Sequence, residues 1–263
     1  MRVALFATCI NDAMFPQAAI ATTHLLRRLG ISVDFPRQQA CCGQMHVNTG
    51  YYPEALRLTR NHVRTFEPVL DGRWDAIVVP SSSCTGSIRE QQALVARDAG
   101  ENALADAVEA IAAKTYDLSE FLCDVYGSVD LGSYFPHKAT YHSTCHSMRI
   151  TKVGDRPYRL LRAVEGLELI DLPQNTSCCG FGGTFSMKNI ETSKAMLMDK
   201  MTNIKSTGAE VVIAGDYSCL MHIGGGLSKA NAGIRAIHLA EVLAPTKDEQ
   251  WVAPTWTTKV GAR

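Results

Sequence analysis

Neither sign of charge prevails in this 263-residue chain, where Lys plus Arg and Asp plus Glu each number 26. With no net positive field to hold a phosphate backbone or an anionic membrane surface, nucleic acid is not an expected partner. Long apolar runs are missing as well. No uninterrupted stretch approaches the ~20 residues that a bilayer-spanning helix needs. The opening MRVALFATC stops being apolar at Thr8 and Cys9 and carries no small-residue cleavage site, as expected of a first β-strand rather than a secretory leader. A cytoplasmic protein is therefore the expectation. Two further absences concern spacing. No Cys-x-x-Cys occurs, which removes the usual zinc knuckle and the ferredoxin-type run, and no glycine series spells the dinucleotide fingerprint after a strand.

What the chain does have is cysteine, at positions 9, 41, 42, 84, 123, 145, 178, 179 and 219. In a reducing compartment such a set points to metal or redox chemistry rather than to a disulfide framework, and an odd count would leave one thiol over. Eight of the nine are written in two series. Cys9 and Cys145 are separated by 136 residues, Cys41 and Cys178 by 137, and Cys84 and Cys219 by 135. Intervening text repeats too: LLR at 25–27 answers LLR at 160–162, and Pro36 answers Pro173, each with four residues between it and a Cys-Cys-Gly. One module is present twice.

Each module alternates strand and helix patterns. RVALFATC and KATYHSTC are β-rich and end on a cysteine, and helical segments follow around each LLR. Second strands are expected at ISVDF and LELIDL, helices at PEALRLTRNHVRTF and NIETSKAMLMDKMTNI, and buried strands at DAIVVP and EVVIAG. Alternation of this kind predicts an α/β fold of two pseudo-symmetric Rossmann-like lobes, with parallel sheets flanked by helices. The expected divisions are 1–130 for the first lobe, 131–245 for the second and 246–263 for a tail. GSVDLGSYFPH at 127–137 has linker composition, and Trp251 and Trp256 in the tail are expected to dock on a lobe or a partner.

In open parallel sheets, ligands gather at the carboxyl ends of strands. Cys9, Cys41, Cys42 and Cys84 are thus expected to converge in one lobe, and Cys145, Cys178, Cys179 and Cys219 in the other. Three chemistries use such sets. Zinc takes four thiolates around one ion; thiol redox catalysis needs one low-pKa thiol and a resolving partner; iron-sulfur clusters offer several irons at once. Adjacent cysteines point apart, which suits a polynuclear cluster better than a single ion. Gly43 and Gly180, by lacking a side chain, allow backbone N–H donors to approach sulfur. Two alternatives stand beside an iron-sulfur protein: a thiol/disulfide oxidoreductase using the vicinal pairs, and a non-catalytic scaffold stabilised by zinc.

The order Cys, about thirty residues, Cys-Cys-Gly, about forty residues, Cys, given twice over residues 1 to about 244, resembles the cysteine-rich CCG-domain family. That family includes an iron-sulfur component of heterodisulfide reductase and, most similar in length and in lacking a ferredoxin module, the lactate utilisation protein A group. The resemblance implies one or two [4Fe-4S] clusters on the eight repeated cysteines. It also implies an electron-transfer subunit of a complex that oxidises L-lactate to pyruvate together with companion iron-sulfur and lactate utilisation subunits. The fuller family pattern closes each module with Cys-x-x-Cys; here CTGS places Ser87, and CLMH places His222, where the last thiol would stand. Imidazole is an accepted iron ligand, so His222 joins the candidates and the second lobe is the firmer expectation.

Cys123 has Ala244 at its repeat position, so a structural role is expected. His46, His142 and His146 are candidates for tuning a cluster from behind its ligands. FGG at 181–183 and GGG at 224–226 are expected to be tight turns around the second site.

Overall fold

A computed structural model describes residues 1–249; the expectation for Trp251 and Trp256 lies outside the described residues. Two four-stranded sheets form, each wholly parallel. The first comprises β1 (Arg2–Leu5), β2 (Ser32–Asp34), β3 (Ala76–Val79) and β4 (Thr115–Asp117), in the order β2-β1-β3-β4. The second comprises β5 (Lys138–Tyr141), β6 (Glu168–Ile170), β7 (Val211–Ala214) and β8 (Arg235–His238), in the order β6-β5-β7-β8. The same order written twice is the fold expected of the duplicated module.

The central strands are apolar because helices cover both faces. β3 and β7, AIVV and VVIA, are buried at every residue, whereas the edge strands β2 and β6 are only partly covered. β1 pairs with β3 from Val3↔Ala76, and β5 with β7 from Ala139↔Val211. The helices Tyr52–Phe66 and Ile190–Ser206 form where the apolar spacing placed them, the first with Pro53 in its opening turn, where its missing N–H costs nothing. Their inward residues include Thr59, His62 and Phe66 in one and Ser193, Lys200 and Ile204 in the other.

Sequence patterning extended the first strand of each module to its cysteine. The strands instead end at Leu5 and Tyr141, and Cys9 and Cys145 open short helices, Cys9–Met14 and Cys145–Arg149. Thr8 and Thr144 cap them, their hydroxyls accepting from the backbone N–H of Asn11 and Ser147. The first lobe also carries a helix, Asn102–Ala112, that has no counterpart between Cys219 and β8.

The two lobes share their largest core. Val3, Leu25, Val78 and Phe121 from one sheet's surroundings pack in the same apolar cluster as Tyr141, Leu160, Ile213 and Leu239 from the other's. The helix that follows the last strand of each lobe packs on the first long helix of the other: Leu239–Leu243 lies against Gln17–Arg28, and Leu118–Glu120 against Arg156–Arg162. Arg28 donates to the carbonyl of Leu243 at 2.9 Å, and Arg156 pairs with Asp124 at 2.7 Å. Separate outer clusters surround Phe6, Phe66 and Trp74 in the first lobe and Ile204, Val212 and Ile223 in the second.

Candidate metal centres at the strand ends

Each thiol is placed by a local device. Cys9 and Cys145 follow their threonine caps. Ser81 caps the helix Ser82–Gly86 and accepts from the N–H of Cys84, while Asp216 caps Tyr217–Lys229 and so sets Cys219 at the matching position. The vicinal pairs sit in the turns after β2 and β6. Gly43 and Gly180 adopt φ of 89° and 92°, a left-handed conformation open to glycine. A Cβ on Gly180 would stand 2.6 Å from the Ser193 carbonyl oxygen. This turn aims the glycine N–H back at the thiol two residues earlier, at 3.4 Å for both Cys41 and Cys178.

The eight repeated cysteines come together in two sets of four. In the first lobe, Cys9 Sγ lies 3.5 Å from Cys41 Sγ, and Cys42 Sγ lies 3.3 Å from Cys84 Sγ. In the second, Cys179 Sγ lies 3.2 Å from Cys219 Sγ, and Cys145 is hydrogen-bonded to Cys178. The members of each adjacent pair reach different outer partners but also bond each other, Cys42 to Cys41 and Cys179 to Cys178, so the expectation that they point apart is corrected. Hydrogen bonds from Cys42 and Cys9 hold the Cys41 thiol down to about 2, and those from Cys145 and Cys179 do the same for Cys178. The donors Cys9, Cys42, Cys145 and Cys179 are pushed up by giving those bonds and by burial. Four thiolates in contact would repel one another, so a full set of sulfur ligands requires a cationic centre among them. The donor set, four soft sulfurs with N–H support in each lobe, fits a metal or iron-sulfur group.

The second set has a nitrogen beside it. A ring nitrogen of His142 and the sulfurs of Cys179 and Cys219 all lie within 4.8 Å of one another, and all three residues are buried. Burial, reinforced by the charge of Lys200, pushes His142 down to about 3, so its ring is neutral at physiological pH. Lys200, 1 % exposed, donates to the carbonyls of Gln174 and Asn175 at 3.1 and 3.5 Å. Burial lowers its pKa and the four thiols of the second set pull it back up. Two equivalent places in the first lobe hold Phe6 and the buried, neutral His62, which pack ring to ring.

The two sets occupy neighbouring cavities with a common wall. Gln44, Ser83, Phe181, Asp216 and Ser218 line both. Asp216, 2 % exposed, binds both lobes: Oδ1 accepts from the N–H and hydroxyl of Ser218, and Oδ2 accepts from the N–H of Ser83 at 3.0 Å and the hydroxyl of Ser81 at 3.2 Å. Gln44 crosses to His146, Nε2 to Nε2 at 2.8 Å.

Other candidates from the sequence fall differently. Ser87 is buried and its hydroxyl donates to the Cys42 carbonyl at 3.4 Å. His222 is half-buried, with Nε2 3.3 Å from Ser193 Oγ, and is not part of the group formed by His142, Cys179 and Cys219. His46 lies close enough for its charge to favour the Cys41 thiolate. Cys123 belongs to neither set; it packs against the shared core with Sγ 3.9 Å from the Arg156 carbonyl. Gly182 and Gly183 form turns with positive φ, but the expectation for 224–226 is corrected. Those glycines lie inside the helix Tyr217–Lys229, where a Cβ on Gly224 would stand 2.9 Å from Ala236 Cβ and one on Gly226 2.7 Å from Met201 Sδ. They permit close packing against β8 and Ile190–Ser206. Asp216 and Lys200 were missed. Aligning the repeats supplies a signal for both, since Asp216 falls opposite the cap Ser81 and Lys200 sits on the inward stripe of its helix.

Among known proteins, a family model described as a cysteine-rich domain, CCG, matches twice, over residues 3–89 and 139–224. Those spans contain the eight repeated cysteines and leave out Cys123. The chain is 41% identical over 243 residues to Lactate utilization protein A of Geobacillus sp. (strain WCH70), covering 92% of this chain and 99% of that protein. It is 44% identical over 241 residues to the protein of that name from Exiguobacterium sp. (strain ATCC BAA-1283 / AT1b), covering 92% and 96%.

Proposed function

The chain belongs to the cysteine-rich CCG-domain family, among relatives named Lactate utilization protein A, and from that premise we propose that it is the iron-sulfur electron-transfer subunit of an L-lactate-oxidising system. The observation that carries this reading is the convergence of four thiols, one vicinal pair included, in each lobe. Cys9, Cys41, Cys42 and Cys84 would hold one [4Fe-4S] cluster, and Cys145, Cys178, Cys179 and Cys219 a second. Bound there, such clusters supply one-electron transfer, and two of them match the two electrons released when a 2-hydroxy acid becomes a 2-oxo acid.

The residues themselves do three things. Gly43 and Gly180 direct N–H groups at sulfur, which stabilises added negative charge. Burial of Cys42 and Cys179, 3 % and 1 % exposed, keeps water from the inner face of each set. Asp216, Ser83 and Ser218 hold the two cavities side by side. Companion iron-sulfur and lactate utilisation subunits would donate and accept. No helix among the described residues is long and apolar enough to cross a membrane, and the cysteines are free thiols, which suits a reducing cytoplasm.

Iron and acid-labile sulfide, measured on protein purified without oxygen, test the reading. About eight of each per chain is expected, with the paramagnetic signature of reduced clusters after dithionite. Zinc in place of iron would replace it with the scaffold reading. Disulfide reduction that survives iron chelation but not alkylation would replace it with the thiol/disulfide reading.

A further inference from the structure

The two centres differ in one donor. His142 is 0 % exposed, and neither of its ring nitrogens has a hydrogen-bond partner among the described residues. A buried polar atom left unpaired costs about 1–3 kcal/mol; His62 of the first lobe is unpaired in the same way, so what sets His142 apart is the sulfur beside it. The nearest chemistry here is the contacting pair Cys179 and Cys219, to whose sulfurs the ring stands within 4.8 Å. The other histidine of this lobe near the thiols, His222, already engages Ser193 through Nε2.

Its backbone is the same in both lobes. The N–H of Phe6 donates to Val78 at 3.0 Å, and that of His142 donates to Ile213 at 2.8 Å, each directly after the first strand of its module and three residues ahead of the first thiol. Only the side chain changes. Phe6 fills its place by packing edge-on against His62 and Phe66. A histidine in that place has no aromatic partner and no hydrogen bond to either ring nitrogen among the described residues.

We propose that His142 is a nitrogen ligand of the second-lobe centre, which thereby takes four thiolates and one imidazole while the first-lobe centre takes thiolates alone. This rests on the iron-sulfur reading above. Imidazole in place of thiolate raises the potential of an iron centre.

The test is pulsed electron paramagnetic resonance of the dithionite-reduced protein, grown with and without 15N-histidine. A strongly coupled histidine nitrogen is expected in the wild type and in His222→Ala, and its loss is expected in His142→Phe, which installs the first-lobe side chain. His142→Cys should keep iron content near the wild-type value, abolish the nitrogen coupling and shift one of two midpoint potentials downward. Iron-loaded wild-type protein with no coupled histidine nitrogen, or coupling that persists in His142→Phe or His142→Cys, overturns the proposal and leaves the iron reading intact. Protein that takes up no iron overturns both. Cobalt(II) added to the unloaded chain then settles whether any metal site uses this ring, since loss of a tenfold or greater preference over His142→Phe ends that as well.

Discussion

The lobes are alike in what positions the thiols and unlike in what surrounds them. Both use a threonine cap before the first cysteine, a left-handed glycine after the vicinal pair and a capped helix beneath the last thiol. Behind that common frame, Phe6 and His62 in the first lobe face His142 and Lys200 in the second. A second difference lies at the helix after each final strand. Glu120 closes a capping box and pairs with Arg89 at 2.8 Å, whereas its counterpart Glu241 closes the same kind of box, accepting from the His238 N–H at 3.2 Å, and adds a neutral hydroxyl, from Tyr217 at 2.6 Å. Duplication has kept the geometry of the site and varied its electrostatics.

The largest test of the likeness is metal content. Cys42→Ala and Cys179→Ala should each remove about half of the iron, leaving the other lobe loaded; loss of all the iron in either variant would make the centres one unit. Next comes the buried carboxylate. Burial raises Glu241 to about 7 from 4.5, although the Tyr217 hydroxyl holds it back. A carboxyl raised on folding stabilises fully below its unfolded value and loses that contribution as pH rises through its folded one. Glu241→Gln should match the wild type below pH 4.5 and gain over it between pH 4.5 and 7, to roughly 3 kcal/mol in denaturant unfolding above that. The variant comparison also cancels the opposite trend of buried His238, lowered to about 4.

A smaller effect separates the two glycines. Gly180→Ala meets both a positive φ and the Ser193 carbonyl and should cost about 3 kcal/mol, while Gly43→Ala, whose Cβ would find ordinary contacts at 3.8 Å, should cost about 1 kcal/mol. Equal costs would show that conformation alone matters at both turns. Smallest is the capping asymmetry. Ser81→Ala should cost about 1 kcal/mol in the same unfolding assay, less than Asp216→Asn, because Asp216 serves the helices of both lobes.

Much of the site was legible because the thiols are tied to strand ends, and strand ends recur with the module. The fourth strands β4 and β8 were not, because TYD and RAIH carry polar residues at both ends and show no apolar run like those of β3 and β7. Gly224–Gly226 were misread because glycine marks turns and close packing alike, and only the nearness of Ala236 and Met201 separates the two. Asp216 is one acidic residue among 26 until the fold sets Ser81 and Ser83 against it. Lys200 carries the clearest signal that patterning left unused, a cation on the buried stripe of an otherwise amphipathic helix.

The crossed helices Leu239–Leu243 and Leu118–Glu120 bear on how such a chain came about. A single module by itself would leave its last helix without a bed, and a second copy provides one, so two unlinked modules would hold together only while concentrated. Joining the copies through 127–137 turned that encounter into an intramolecular one at a fixed effective concentration, of millimolar order for a short tether. With dissociation removed, the two copies were free to stop being identical.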